Sequence, residues 1–335
     1  MMQRRTILTT FGALAAGAAL PGTMRPEVAR AAGRPVRVAI VAKSLGNGFF
    51  NAVHLGGDEA AKSLGGIEVI FTGPTDTAAE HQIDVINALV AQHVDAIAIS
   101  ANDPDALVPV CKRAMQRGIK VISYDSGIAP EGRMLNLEDA TIAQVGVTLN
   151  QLTADACNGR GKIAIVSATA TSTNQNQWIA AMKADLGKHP GLDLVSVVYG
   201  DDLADKSYRE TQALLQKFPD LAVIISPSSV GIVAAARAVD DAGRSGKTFV
   251  TGLGLPSECA GAVASSTIKS FAIWNPVDIG FAVVSICNAL IKDGSSHDTD
   301  VGRLGRIQFD ANGDGTLGKP TVYDKSSIQA AAKLF

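Results

Sequence analysis

The chain has 335 residues, of which 47% are hydrophobic and 19% are charged, and its formal net charge is −2. This balance is ordinary for a soluble α/β protein, and the length suits two domains of roughly 130–150 residues each. A near-neutral chain without a run of basic residues is not expected to bind nucleic acid.

Residues 1–31 have the features of an export signal. Arg4 and Arg5 are followed by a mildly apolar stretch at 7–20, which is shorter than the about 20 residues of a membrane span. Residues 29–31 (Ala-Arg-Ala) form a small-x-small cleavage pattern, so the mature protein is expected in the periplasm, cut near Ala31 and not embedded in a membrane. The paired arginines favour the twin-arginine route, with ordinary Sec export as the alternative. The first cysteine is Cys111, so no lipid anchor is expected at the cleavage site.

After the signal, short apolar runs rich in Val and Ile alternate with helical patterns, which predicts parallel strands buried on both faces. The strand-like runs lie at 36–43, 67–73, 96–100, 120–126, 162–168, 194–200, 222–227, 249–254 and 268–275, with two short pieces at 305–310 and 320–324. The helical patterns lie at 49–65, 78–93, 103–118, 174–188, 205–217, 230–242, 256–264 and 276–292. Segments 36–100 and 162–227 repeat this order of elements without repeating the residues.

Polar residues follow many of these strands. In parallel sheets, ligands bind beyond the carboxyl ends of the strands, at the point where the strand order reverses. The residues at these ends are Lys43, Asp103, Asp125, Asn174, Asp202, Ser229 and Trp274. They predict a cleft for a small polar molecule between two lobes.

Four aromatic residues, Phe49, Phe50, Trp178 and Trp274, lie beside these polar ends. Flat apolar faces next to hydrogen-bonding side chains suit a sugar ring, although core packing is the alternative for each aromatic residue. Asp125 follows an apolar run and would accept sugar hydroxyls or cap a helix, since an unpaired buried carboxylate is costly.

Motifs for other chemistry are incomplete. A dinucleotide site needs G-x-G-x-x-G, whereas residues 46–51 are GNGFFN. The run 310–315 (DANGDG) begins like a calcium-binding loop, but position twelve is Thr321 instead of an acid, so a polar turn is predicted. The five histidines have no metal-ligand spacing, and no catalytic set of serine, histidine and acid is found. We therefore expect no catalytic residue, metal or cofactor. The four cysteines are expected to be buried free thiols, with disulfides left open.

The chain after the signal resembles type I periplasmic solute-binding proteins of ABC importers, and within them the rhamnose-binding group and the closely related autoinducer-2-binding group. The matching segments are KSLGNGFF (43–50), TGPT (72–75), SANDPDAL (100–107), KRAMQRGI (112–119), NQNQW (174–178), GDDLADKSY (200–208), TGLGLPSE (251–258) and SFAIWNP (270–276). The resemblance implies an α/β fold of two Rossmann-like lobes joined by a three-crossover hinge. It implies a first lobe of 36–137 plus about 275–300, and a second lobe of 138–274 plus about 301–335.

The resemblance also implies a site. Lys43, Asp125, Gln175 and Pro227 match ligand contacts of the autoinducer-2 group. Asn174 stands where that group has aspartate and Ser229 where it has alanine, which fits a polyhydroxylated pyranose better. Ribose-binding relatives add further positions, among them Gly254, where aspartate is common. The expected ligand-binding residues are Lys43, Asn47, Phe49, Phe50, Asp103, Asp125, Asn174, Gln175, Trp178, Asp202, Pro227, Ser228, Ser229, Gly254, Trp274 and Asn275.

The implied function is that of a non-catalytic, monomeric binding protein that captures a sugar, L-rhamnose first, and delivers it to the permease and ATPase complex of an ABC importer. Autoinducer-2 or another pentose or deoxyhexose is the alternative ligand. An α/β enzyme is the alternative from another class, and no cofactor loop or catalytic set supports it.

Overall fold

Buried apolar strands form the framework of the protein, as the α/β pattern predicts. The computed structural model describes residues 33–294 and 298–335. The predicted signal peptide at 1–31, with its cleavage site, lies outside the described residues. The sheets and helices of the described residues lie from Pro35 onward.

The strands are β1 (Val36–Val41), β2 (Ile67–Thr72), β3 (Ala96–Ile99), β4 (Lys120–Tyr124), β5 (Leu135–Ala140), β6 (Gly161–Ser167), β7 (Leu192–Tyr199), β8 (Leu221–Ser226), β9 (Phe249–Gly252), β10 (Ser270–Ile273), β11 (Asp298–Asp300), β12 (Arg306–Gln308), β13 (Asp314–Gly318) and β14 (Thr321–Asp324). The helices are α1 (Gly48–Leu64), α2 (Ala79–Ala91), α3 (Val108–Gln116), α4 (Ile142–Cys157), α5 (Thr173–Asp185), α6 (Ala204–Lys217), α7 (Ser229–Asp241), α8 (Pro256–Ala264), α9 (Pro276–Lys292) and α10 (Ile328–Ala331).

The first sheet has the order β13-β5-β4-β3-β1-β2, and all its strands are parallel. Neighbouring side chains of β1 point into two different apolar clusters. Ile40 packs with residues of α1 and α9, whereas Val41 packs with residues of α2 and α3. Because helices cover both faces, a strand such as VRVAIV is apolar almost throughout instead of alternating. We call this sheet with α1, α2, α3 and α9 the first lobe.

The second sheet has the order β7-β6-β8-β9, again all parallel. β10 lies alongside β9 through isolated parallel bridges and pairs antiparallel with β14. α4 and α5 pack together on one side, and α6, α7 and α8 pack on the other. We call these elements, with α10, the second lobe. Parallel sheets flanked by helices confirm the predicted fold class.

The strand order reverses once in each sheet. In the first sheet the chain runs from β1 outward to β2 and returns to β3 on the opposite side of β1. In the second sheet it does the same from β6 to β7 and back to β8. The loops that follow β1 and β3, or β6 and β8, therefore diverge and leave a crevice at the carboxyl ends of the strands.

The chain passes between the two lobes three times. The passages lie between β5 and α4, between β10 and α9, and between β13 and β14. Part of the predicted division of the tail is wrong, because β13 joins the first sheet beside β5 instead of belonging to the second lobe. β13 pairs with the edge of β5, which would otherwise expose its hydrogen-bonding groups.

α1 and α9 approach each other closely at two glycines. A Cβ atom on Gly56 would lie 1.8 Å from the carbonyl oxygen of Val277, and one on Gly280 would lie 1.8 Å from that of Val53. Only glycine permits this backbone contact, which fixes the start of α9 against the first lobe. Among the described residues, no helix combines the length and the apolar character needed to cross a membrane.

Candidate ligand-binding site

Polar side chains from both lobes meet in a buried cavity at the carboxyl ends of the strands. Its lining consists of Lys43, Asn47, Phe49, Phe50, Asp125, Asn174, Gln175, Trp178, Asp202, Pro227, Ser228, Ser229, Leu253, Ile273 and Trp274. The cavity volume is about 40 Å³, whereas small-molecule sites typically measure about 300–1,000 Å³. The lobes are therefore closed on each other, and a sugar ring can enter only if they separate.

Helix beginnings are directed at this cavity. Asn47 caps α1 by accepting the backbone N–H of Phe49 at 2.9 Å, and Ser228 caps α7 by accepting that of Gly231 at 3.0 Å. These caps follow β1 and β8, so each helix starts where a strand of the cleft ends. The partial positive charge at a helix N-terminus favours carboxylates and ligand oxygens nearby.

Lys43, Asn174 and Asp125 form a network that links the lobes. The Lys43 ammonium donates to Asn174 Oδ1 at 3.2 Å and lies 3.7 Å from Asp125 Oδ2. The Asn174 amide donates to Asp125 Oδ1 at 2.7 Å, and Ser100 donates to Asp125 Oδ2 at 2.6 Å. The side chains of Lys43 and Asp125 are 5% and 7% exposed. Such shielded, charge-assisted hydrogen bonds are stronger than surface ones.

A second polar group lies on the opposite wall. Ser228 donates to Asp202 Oδ1 at 2.6 Å, and Ser229 donates to Asn47 Oδ1 at 3.2 Å across the lobes. Burial raises the pKa of the Asp202 carboxyl, against the opposing effects of Lys43 and of the Ser228 hydrogen bond. Asp202 thus adds a carboxyl to the cavity with one oxygen already bound by Ser228.

The two tryptophans form an apolar wall. The rings of Trp178 and Trp274 are tilted by 60° with centroids 5.6 Å apart. Both are 5% exposed, and the Trp274 indole Nε1 is buried without a hydrogen-bond partner. Phe49 and Phe50 continue the apolar surface in an edge-to-face pair. A flat apolar surface with one unused donor matches a ring that has C–H faces and hydroxyl oxygens.

The loops that hold the site contain residues with unusual backbone angles and are tied together by a buried glutamine. Asp125 and Asp202 have φ angles of 57° and 52°, in the left-handed region that non-glycine residues seldom adopt. Gln82, fully buried, donates to the carbonyl oxygens of Ala42 and Ser100 and accepts the N–H of Asn102. It fixes the loops after β1 and β3 relative to each other, which supports Lys43 and Ser100.

Three predicted site residues do not line the cavity. Asp103 accepts hydrogen bonds from the backbone N–H groups of Asp105 and Ala106, so it caps a turn. Because this turn comes first, α3 begins at Val108 and not at residue 103 as predicted. Gly254 is packed against its own lobe, since a Cβ there would lie 2.6 Å from Cys259 Sγ. Asn275 caps α9 by accepting the N–H of Val277. These short polar or small residues have local backbone roles.

Sequence reasoning missed several contributors. Leu253 and Ile273 line the cavity as apolar residues at strand ends. Ser172 accepts a hydrogen bond from Lys43 at 3.1 Å. Ser172 directly precedes α5 and lies two residues before the predicted helix, and a serine there is a capping signal that could have identified it.

Residues that could serve other chemistries have structural roles in the described part of the chain. No group of three or more His, Cys, Asp or Glu side chains there is placed to hold a metal ion. Asp310 accepts the backbone N–H groups of Asn312 and Asp314, so DANGDG is the predicted polar turn. The four cysteines are free thiols, and three of them are buried.

Comparison with known proteins adds to this geometry. Residues 38–295 match the family model described as "Periplasmic binding protein domain". An ABC transporter solute-binding protein from Clostridium phytofermentans, solved with bound L-rhamnose, is 34% identical and has a TM-score of 0.86. The match covers 90% of this chain and 99% of that one.

Two further relatives bind other ligands. The D-ribose/D-allose-binding protein of Pseudomonas aeruginosa is 29% identical over 225 residues, which are 64% of this chain and 70% of that protein. LsrB from Clostridium saccharobutylicum, solved in complex with AI-2, is 22% identical with a TM-score of 0.83, covering 88% of this chain and 99% of that one. At 22% identity, the similarity to LsrB shows a shared fold and nothing more.

Proposed function

This chain belongs to the periplasmic binding protein family, and we propose that it captures L-rhamnose in the cavity between its lobes and delivers the sugar to an ABC importer. The family match confirms the resemblance predicted from the sequence, and it is a match to binding proteins and not to enzymes. The observation that carries the proposal is the closed cavity in which carboxyl, amide, ammonium and hydroxyl groups from both lobes surround a tryptophan wall.

The polar groups suit a ligand with several hydroxyls. A hydroxyl both donates and accepts, so it can pair with Asp125 or Asp202 on one side and with Lys43 or the free Trp274 Nε1 on the other. When sugar enters, these pairs replace hydrogen bonds that side chains of the cavity now make with each other, such as the one from Ser229 to Asn47. Because hydrogen bonds to the sugar take the place of hydrogen bonds between side chains, the buried polar groups stay satisfied in the closed complex.

The choice of rhamnose over autoinducer-2 rests on Asn174 and on the relatives. As an amide, Asn174 donates to Asp125 while accepting from Lys43; an aspartate there would face a second carboxylate. The methyl group of a 6-deoxy sugar would pack on Trp178 or Trp274. The 34% identical Clostridium phytofermentans protein with bound L-rhamnose supports this choice. Autoinducer-2, with matching positions at Lys43, Asp125, Gln175 and Pro227, is the second candidate.

The transport cycle follows from the three passages between the lobes. We propose that they act as a hinge, that the two lobes are the mobile units, and that the monomer closes on its sugar in the periplasm after loss of residues 1–31. Thr171 donating to the carbonyl oxygen of Asn102 and Thr173 donating to that of Gly127 are contacts that closure would make and opening would break.

A ligand panel tests the proposal. Mature protein beginning at Ala32 is titrated calorimetrically with L-rhamnose, D-ribose, D-allose, D-arabinose and autoinducer-2, and thermal melts are recorded with each. L-rhamnose should bind most tightly and raise the Tm, since binding only the native state stabilises it. Small-angle scattering should show a smaller radius of gyration with saturating sugar.

Two outcomes would contradict the proposal differently. Tight binding of autoinducer-2 without binding of L-rhamnose would exchange the ligand and leave the binding-protein function in place. A panel in which no sugar binds or raises the Tm would overturn sugar binding as a whole.

A further inference from the structure

A larger groove adjoins the ligand cavity and has no part in the proposed capture of a monosaccharide. Its volume is about 510 Å³, within the range of about 300–1,000 Å³ for small-molecule sites. It shares Asp125, Asn174 and Trp178 with the cavity, so the two spaces meet at those residues. We call it the side groove; its other lining includes Ile128, Pro130, Arg133, Asn136, Glu138, Asp139, Ile142 and Asp314.

The side groove contains a buried carboxyl without a partner. Asp139 is 3% exposed, and neither of its side-chain oxygens accepts a hydrogen bond. Burial, and then the nearby Asp125, raise the pKa of Asp139 well above its usual value. A buried polar group that is left unsatisfied is costly, and native proteins keep few of them. A buried carboxyl that accepts no hydrogen bond and lines a groove of this size points to a ligand that donates hydrogen bonds.

The positively charged donor of the side groove, Arg133, is already engaged. Arg133 donates to the carbonyl oxygens of Ile128 and Gly313 and to the Asp314 carboxylate, which also accepts from the Asn136 amide. The carboxyls of Asp139 and of the half-buried Glu138 can still accept hydrogen bonds, and the pKa of Glu138 is raised by burial and by Asp314. Hydroxyl groups can donate to these carboxyls, whereas a phosphate or carboxylate would lie beside the negative charges of Glu138, Asp310 and Asp314.

The apolar walls of the side groove also suit the ring of a small hydroxylated molecule. Ile128, Pro130, Ile142 and Trp178 present apolar surface beside these acceptors. As in the cavity, apolar walls with a few convergent polar groups are the usual composition of a site for a small hydroxylated molecule.

We propose that the side groove is a second subsite, which holds a neutral hydroxylated ring attached to the sugar in the cavity and receives its hydroxyls on Asp139. The protein then accepts disaccharides as well as the monosaccharide. This inference rests on the proposed sugar-binding function, because the ring in the cavity anchors the second one.

The experiment compares L-rhamnose with four disaccharides in which glucose is joined to rhamnose through C1, C2, C3 or C4, by titration calorimetry. At least one disaccharide should bind about as tightly as L-rhamnose. The same disaccharide with glucuronic acid in place of glucose should bind at least about tenfold more weakly, since its carboxylate would lie beside the carboxyls of Glu138, Asp310 and Asp314.

Two variants locate the second ring. Asp139→Asn should lower the ratio of disaccharide to L-rhamnose affinity by about tenfold, because one acceptor becomes a donor amide. Ile142→Trp should lower the same ratio, because the larger side chain would fill the side groove. Binding of L-rhamnose by a variant shows that the variant is folded.

If wild-type protein binds L-rhamnose but none of the four disaccharides, the inference fails while the proposed function stands. An unchanged affinity ratio in both variants would also overturn it. If L-rhamnose itself does not bind, the proposed function fails first.

Discussion

Replacing Asn174 by aspartate should weaken sugar binding strongly at neutral pH and much less at acidic pH. The Asn174 amide donates to Asp125 Oδ1 at 2.7 Å, so Asn174→Asp loses a hydrogen bond to a charged group, which is worth about 1.5–3 kcal/mol. At an effective dielectric constant of about 20, the new carboxylate would be repelled by Asp125 by about 6 kcal/mol at that distance. Attraction to the Lys43 ammonium, which lies 3.2 Å from Oδ1 of residue 174, would offset about 5 kcal/mol of this repulsion.

The net cost of about 2–4 kcal/mol applies to the closed form, and it corresponds to a loss of affinity of roughly 30- to 1,000-fold at pH 7.5. Protonation of the new carboxyl limits this cost. At pH 5, protonating an aspartate with a pKa of about 3.9 costs only about 1.5 kcal/mol, and the neutral acid can donate to Asp125 again. The affinity loss should therefore fall to about tenfold or less.

Titration calorimetry with L-rhamnose at pH 7.5 and pH 5 measures both values. Asn176→Asp is the matched control, because Asn176 lies in the same helix turn but donates to the carbonyl oxygen of Ala170, away from the carboxylates. Its affinity should change by less than about threefold at either pH. The reasoning is refuted if Asn174→Asp behaves like this control at pH 7.5, or if its loss is the same at both pH values.

Two further predictions concern stability. Gly280→Ala should destabilise the fold by about 1–3 kcal/mol or more in urea unfolding, because its Cβ would lie 1.8 Å from the Val53 carbonyl oxygen. Gly261→Ala in α8, where a Cβ meets nothing within 4 Å, should instead stabilise by up to about 1 kcal/mol, and equal effects of the two would contradict the packing argument. Asp139→Asn should raise the Tm by an amount that grows with pH. Because the pKa of Asp139 is raised in the folded protein, the wild-type stability is fully present below the pKa of an unfolded-chain aspartate, about 3.9, and is lost as the pH rises towards the folded pKa. A Tm difference that stays constant from pH 4 to pH 8 would show that this carboxyl is not the cause.

Much of the fold could be predicted because its signals are local. Runs such as residues 36–43 and 222–227 are apolar and β-branched over the length of a strand, and β1 and β8 coincide with them to within one or two residues. α8 and α9 have the predicted bounds. β5 and α4 were not predicted, since LNLEDA mixes apolar and polar residues without a clear period. Its strand pairs with β4 and β13, which are partners that only the assembled sheet supplies.

Most of the site could be predicted for a similar reason. In a parallel sheet the carboxyl ends of the strands share one edge, so Lys43 and Ser229, far apart in the chain, were expected at one cleft, and both line it. Asp103 also lies near the end of a strand, yet its carboxylate satisfies the N–H groups of its own turn. The sequence does not decide between a ligand contact and a backbone cap, because both use the same side chain.

What the sequence by itself determined is the order of strands and helices and the residue types near the strand ends, because these depend on contacts between near neighbours in the chain. The tertiary structure alone decided which polar groups are paired. Asn174 meets Asp125 from the other lobe, whereas Asp139, which no sequence signal marked, lines a groove and accepts no hydrogen bond. Pairing depends on distances of about 3 Å between atoms that are far apart in sequence, and those distances exist only after both sheets have formed and the lobes have closed.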